Sequence, residues 1–257
     1  MTLSGILAQH WPLLVLAPAA FAGSVIFGLT GFGAALITIP IATHVVSLQF
    51  ALALFVLMDL VNSARIGFEN PRHAVRAEWT RMVPMIVAGT VAGVTLLVNL
   101  PRQMAMLALG VFVIAFALYS LIKRGDSGVR VGTGWAWVAG FAGGITSTVF
   151  GAGGPPYAMY LSQRGLTKEQ YRATLGLSTL TSISLRALAF LLTGILLDWR
   201  VWLYALVVVP AGLLGLWAAS HIFRRISREA LMRVVALVLL VSGGTLIARA
   251  QIGRAHV

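Results

Sequence analysis

The chain contains no cysteine, so disulfides, thiolate metal sites and thiol chemistry are all excluded. Charge is scarce: Asp, Glu, Lys and Arg make up 10% of residues, where a soluble domain carries about 25%. Acidic residues are scarcest, with 7 Asp and Glu against 19 Lys and Arg. The resulting net charge of +12 raises nucleic acid as a partner. The arginines, however, sit in short loops between apolar runs, which sets membrane topology and builds no nucleic-acid face. No Lys or Arg precedes the first apolar run, so a cleaved signal peptide is not expected. His10, His44, His73, His221 and His256 have no metal-ligand spacing, and no metal or other cofactor is expected. No ATP-binding signature is found, which disfavours primary transport. With no nucleophile–base set at membrane depth, catalytic residues are not assigned and the chain does not read as an enzyme.

What is present is hydrophobic: 59% of residues, with a mean hydropathy of +0.91. The expected fold class is an all-α polytopic membrane protein. Apolar segments run at about 11–40, 47–64, 82–98 and 104–122, then at about 134–161, 173–197, 201–219 and 230–248. A full helical span needs roughly 20 residues. The first and fifth segments are too long for one helix and too short for two spans, and both are interrupted. Gly31 and Gly33 break the first; Gly151, Gly153, Gly154, Pro155 and Pro156 break the second. Proline removes a backbone donor and glycine adds freedom, so a continuous helix is not expected there. A re-entrant hairpin of two half-helices fits, as does a pair of short tilted helices. Gly-x-Gly here is not a nucleotide fingerprint, which requires a preceding strand.

The two breaks are copies. Phe21-Ala22-Gly23 matches Phe141-Ala142-Gly143, and Gly31-Phe32-Gly33 matches Gly151-Ala152-Gly153 at the same offset of 120 residues. Glu78-Trp79 pairs with Asp198-Trp199, and with small insertions Arg65 falls opposite Arg186. The chain therefore reads as one membrane domain of two repeats, 1–123 and 124–257, each a broken hairpin plus three helices.

Loop charge chooses the topology. If every segment crosses once, the basic residues divide 10 against 8. If each broken segment enters and leaves on one side, they divide 14 against 4. The larger group includes Arg65, Arg72, Arg76, Arg81, Arg164, Lys168 and Arg172. The positive-inside rule favours the second arrangement. Each half then has an odd number of crossings, the repeats are inverted, and both termini lie outside. Inverted repeats bring two broken hairpins tip to tip near the midplane, where half-helix N-termini favour an anion.

Gly31-Phe32-Gly33-Ala34-Ala35-Leu36-Ile37-Thr38-Ile39-Pro40 and Gly151-Ala152-Gly153-Gly154-Pro155-Pro156, each opening a repeat, resemble the sulfite exporter TauE/SafE family of permeases, as does Asp198-Trp199-Arg200. The resemblance covers nearly the whole chain at the level of repeat layout. It implies secondary transport of sulfite, thiosulfate, sulfoacetate and related anions across the inner membrane. Family members that take up thiosulfate are thought to use cysteines. Their absence here places sulfite, a sulfonate or a carboxylate ahead of thiosulfate.

The expected substrate contacts are Gly31, Phe32, Gly33 and Ala34 at one tip, and Gly151, Ala152, Gly153, Gly154 and Pro155 at the other. Arg186 joins them because ionisable residues in mid-membrane are rare and usually mark a substrate pathway. Its planar guanidinium suits sulfonate or carboxylate oxygens. Asp59 is the acid placed at membrane depth. It is read either as a group coupling transport to a proton or as a partner of Arg186 or Arg65; sodium coupling stays open. Asn62, within one turn, supports either role. Thr146, Ser147, Thr148, Ser178, Thr179, Thr181 and Ser182 read first as packing residues and second as ligands. Gly89 and Gly93 read as packing, and Trp11, Trp79, Trp199, Trp202 and Trp217 as an aromatic belt. The expected partners are a small anion and the lipid bilayer; oligomeric state is left open. An alternating-access carrier leads, with an anion channel or a carboxylate permease as alternatives.

The charge pattern makes a direct prediction. Reporters fused in the 124–132 loop and at the C-terminus should fall on opposite faces of the membrane; finding both on one face would overturn the inverted arrangement.

Overall fold

The computed structural model describes residues 11–68, 71–122, 131–221, 236–237, 239–241 and 243–248. The basic residues at 123–130 and 222–235, both extreme termini, and the start of the 230–248 segment lie outside the described residues.

Helices account for nearly all of it, and there is no strand among the described residues. In chain order they are α1 (Leu13–Thr30), α2 (Ala34–Ala42), α3 (Leu48–Gly67), α4 (Arg76–Asn99), α5 (Arg102–Ile122), α6 (Trp135–Phe150), α7 (Gly154–Leu161), α8 (Lys168–Leu192) and α9 (Trp199–His221). Five of these, α1, α3, α4, α8 and α9, are long and apolar enough to cross a membrane. Exposed Val91 on α4, Leu192 on α8, and Leu206 and Leu214 on α9 cover the outer surface with aliphatic side chains, as lipid contact requires.

Both expected breaks are present, and glycine makes them. Gly31 (φ 82°) and Gly33 (φ 94°) take the left-handed conformation between α1 and α2. Gly151 (φ 73°) does so after α6, and Pro155 enters the first turn of α7, where proline's missing N–H costs no helical bond. The arms are unequal. α1 has 18 residues and α2 has 9; α6 has 16 and α7 has 8. At 1.5 Å per residue α1 alone is about 27 Å long, close to the hydrocarbon thickness, so the break falls late in each segment, not at its middle.

Helix ends follow local chemistry more than hydropathy. α8 starts at Lys168, ahead of the apolar run, because Thr167 and Gln170 form a reciprocal capping box. It stops before Gly194, whose left-handed backbone leads into a 3-10 turn at Ile195–Leu197. α4 begins at Arg76, well before the apolar run at 82, with Glu78 in its first turn, where the helix dipole favours an acid.

The packing is reciprocal between halves. α1 packs on α9 and α6 packs on α4, so the first arm of each broken pair lies against a helix of the other half. Both seams are glycine-lined. A Cβ on Gly89 would fall 2.3 Å from the Phe141 carbonyl oxygen, one on Gly144 2.6 Å from that of Ile86, and one on Gly215 2.3 Å from that of Phe21. Close backbone approach between small residues is how helices associate where lipid removes the usual hydrophobic drive. α3 packs on α8 between the seams. Phe32 meets Phe116 of α5 edge-on, and Phe150 stacks on Phe112, which seats α5 beside the two breaks.

The seams predict a contrast. Gly144→Val should lower stability by about 1–3 kcal/mol through overpacking. Gly132→Val, with nothing within 4 Å, should stay within about 0.5 kcal/mol of the parent. Thermal unfolding of the detergent-purified variants reads both.

Candidate functional site

The two glycine tips meet. A Cβ on Gly154 would fall 2.3 Å from Cβ of Phe32, and one on Gly151 would fall 2.7 Å from Cβ of Ala35. Between them lies a cavity of about 20 Å³, lined from the first tip by Phe32, Gly33 and Ala34 and from the second by Gly151, Ala152, Gly153 and Gly154. Asp59, Ser147, Tyr157, Thr179 and Ser182 complete its polar wall. A water needs roughly 10–15 Å³ by this measure, so the cavity holds about one. Two of the expected tip contacts stand off: Gly31 shapes the turn and Pro155 sits in the first turn of α7, and neither lines the cavity.

Arg186, 1% exposed, stands beside it on α8. Its Nη2 donates to Asp59 Oδ2 at 2.8 Å, across from α3. Its Nη1 donates to the Ser147 carbonyl at 2.8 Å, in the last turn of α6, and lies 3.0 Å from where a Gly151 Cβ would sit. The guanidinium thus satisfies the negative end of α6 while pairing with a carboxylate. Asp59 is 3% exposed, so the whole pair is removed from solvent. Three buried polar atoms here have no hydrogen-bond partner: Asp59 Oδ1, Arg186 Nε and Thr179 Oγ1. Buried polar groups are nearly always satisfied, so these three, gathered around one cavity, are exceptional. Tyr157, fully buried, donates to Ser182 Oγ at 3.0 Å.

Of the two partners considered for Asp59, Arg186 is the one it meets. Arg65 is exposed in the last turn of α3 and does not line the cavity. Asn62 Nδ2 donates to Ser24 Oγ at 2.8 Å and so ties α3 to α1. Thr146, Thr148, Ser178 and Thr181 return their hydroxyls to carbonyls one turn back, whereas Thr179 and Ser182 face the cavity. Trp79 is half-buried and donates to Thr181 Oγ1 at 3.0 Å, so it ties α4 to α8.

Sequence reasoning missed Tyr157, whose ring fills the space that Gly143 leaves. It also missed a second polar cluster away from the tips. Glu78, 5% exposed, accepts from Arg164 Nη2 at 2.8 Å, from Arg164 Nε at 3.1 Å and from the Tyr160 hydroxyl, with Arg81 at 3.4 Å. Arg164 Nη1 also donates to the Val131 carbonyl at 2.6 Å. The hydrogen bond to Glu78 raises the basicity of the Arg164 guanidinium further. The signal that could have found this cluster is Glu78 itself, an acid flanked by Arg76 and Arg81 and opposite Asp198 at the 120-residue offset.

A family model described as Sulfite exporter TauE/SafE matches residues 16–246. The chain belongs to that family. It is 27% identical over 205 residues to a protein of Cupriavidus necator described as "Probable sulfite/organosulfonate exporter TauE", covering 77% of this chain and 79% of that one. It is 25% identical over 195 residues to "Probable inner membrane transporter protein TsaS" of Comamonas testosteroni, covering 74% and 80%. No solved structure matches the chain. Membership in the TauE/SafE family makes this a membrane transport protein, and its five apolar helices fit a multi-pass protein of the inner membrane.

Breaking a buried ion pair from one side strands the other charge, at a cost of about 3–5 kcal/mol. Arg186→Ala should therefore destabilise the protein strongly, and adding Asp59→Asn to it should recover a large part of the loss. A double-mutant cycle on detergent melting temperatures measures this, and additive losses would contradict the pairing.

Proposed function

We propose that this TauE/SafE-family chain is a secondary transporter that carries a small anion, sulfite or a sulfonate such as sulfoacetate, across the inner membrane by alternating access. The observation that carries the reading is a small cavity bounded by both glycine tips, beside a buried arginine with an unpartnered N–H. The first turns of α2 and α7 leave backbone N–H groups without helical partners, and Gly33, Ala34, Gly153 and Gly154 bring that backbone to the cavity wall. An anion would sit between these ends and Arg186. The relatives' descriptions as a sulfite/organosulfonate exporter and an inner membrane transporter support the substrate class and the location.

In this reading residues 1–123 and 124–257 are inverted repeats, the broken pairs are hairpins entering from opposite faces, and both termini lie outside. The reciprocal seams, α1 on α9 and α6 on α4, are what such a pseudo-two-fold relation requires. The cavity as it stands holds about one water, so an anion enters only when a wall moves, as in a carrier whose gates open in turn. The Glu78–Arg164 cluster, which joins the start of α4 to the end of α7, is one contact such a movement would break.

Counterflow in proteoliposomes tests the reading, with sulfite, sulfoacetate, acetate and phosphate compared. The expected result is saturable exchange of sulfite or a sulfonate, reduced by about 100-fold in Arg186→Gln, the loss expected for a buried charged hydrogen bond of some 2–3 kcal/mol. Saturable exchange confined to acetate would indicate a carboxylate permease, and an unsaturable leak a channel. Absence of flux for every anion would refute anion transport.

A further inference from the structure

Asp59 stands where an anion bound to Arg186 needs to be. On a guanidinium, Nε and Nη2 form the side edge that takes two oxygens of one oxyanion. Here Asp59 Oδ2 holds Nη2 at 2.8 Å, while Nε has no partner and neither does Asp59 Oδ1. The carboxylate thus occupies half of a two-oxygen site. An oxyanion that takes both positions must displace Asp59 from Nη2, leaving Asp59 beside it.

Charge then limits which states of the site are stable. Empty, the site holds one guanidinium and one carboxylate, which balance. Add a monovalent anion and the buried site carries an excess negative charge, which is expensive in a medium that cannot hydrate it. No other described ionisable side chain nearby can offset it, and the helix ends of α2 and α7 offer partial charge only. The described parts of α1, α2 and α6 carry no ionisable side chain. On α8 the remaining ionisable residues, Lys168, Glu169, Tyr171 and Arg172, lie in its first two turns. On α9, Arg200 and Tyr204 lie near its start, where Tyr204 meets Phe50, and His221 is its last residue. On α3 itself Arg65 is exposed, and from α7 Tyr157 offers a hydroxyl already donated to Ser182.

We propose that Asp59 is the coupling carboxylate of this transporter, taking up a proton from water as a monovalent oxyanion displaces it from Arg186. The proton stays on the carboxyl while the loaded site turns to the other face. There the anion leaves, the proton returns to water, and the ion pair re-forms. Two states of the site are balanced: empty with Asp59 ionised, and loaded with Asp59 protonated. Only these cross readily between faces, so anion and proton move together, one for one and without net charge. The favoured cargo is a monovalent sulfonate or hydrogensulfite; sulfoacetate is balanced in the same way once its own carboxylate is protonated. The inference rests on the anion-carrier reading above.

Methanesulfonate is a suitable probe because it is fully ionised near neutral pH and brings no proton of its own. In wild-type proteoliposomes its inward gradient should acidify the lumen, and uptake should be insensitive to a potassium–valinomycin potential. In folded Asp59→Asn, net methanesulfonate uptake should fall at least tenfold further than methanesulfonate counterflow does. The reason is that the variant's empty site, with Arg186 unbalanced, cannot return. Wild-type uptake without lumen acidification, or driven by the potential, would overturn the proposal whether or not the variant folds. So would folded Asp59→Asn that retains net uptake with the wild-type pH response, or whose counterflow falls as far as its net uptake. No wild-type counterflow of either anion would instead remove the anion-carrier reading itself.

Discussion

One buried contact organises this molecule: the Arg186 guanidinium, held between the Asp59 carboxylate on α3 and the last turn of α6. It joins a helix of the first half, the second broken pair and α8 at a single point. Ion pairs of this depth are poor sources of stability, since desolvation offsets much of their attraction and apolar replacements often serve as well. The surrounding fold must therefore supply the holding force. It does so with backbone-to-backbone packing along two glycine-lined seams and with Tyr157 and Phe32 buried beside the pair.

Glycine serves two different ends here. At the tips it permits a left-handed turn and leaves the backbone bare at the cavity wall. Along the seams it removes side chains so that α1 and α9, and α6 and α4, approach closely. The first use exposes backbone to the cavity; the second hides it. Gly143 belongs to neither pattern, since its missing side chain makes room for the Tyr157 ring beside the cavity.

Much of the architecture was legible because it depends on local chemistry. Long apolar runs and the Gly/Pro interruptions announce themselves in sequence, and the breaks fall at Gly31–Gly33 and Gly151–Gly153 as expected. Arg186 and Asp59 were legible as charges out of place, but which arginine Asp59 meets is a tertiary fact, and Arg65 was an equal candidate on spacing. Helix boundaries were misread where polar residues belong to the helix: Arg76, Glu78 and Arg81 hid the first turns of α4, and the capping box at Thr167 lay outside the apolar run of α8. Tyr157 was missed because one aromatic after two prolines has no pattern to betray it; only the facing Gly143, far in sequence, explains its place.

The exchanged seams have a bearing on how the chain is made. α1 leaves the ribosome early, yet the helix it packs against, α9, is the last of the nine numbered helices. At about 5–20 residues per second the wait is on the order of ten to forty seconds. Throughout it α1 sits in lipid with its glycine groove uncovered, and α4 waits likewise for α6. Neither half can complete a seam alone, so both seams are in place only once α9 has been made. A ribosome stalled after α5 would leave an insertion intermediate with two bare helical faces, a natural substrate for membrane quality-control proteases.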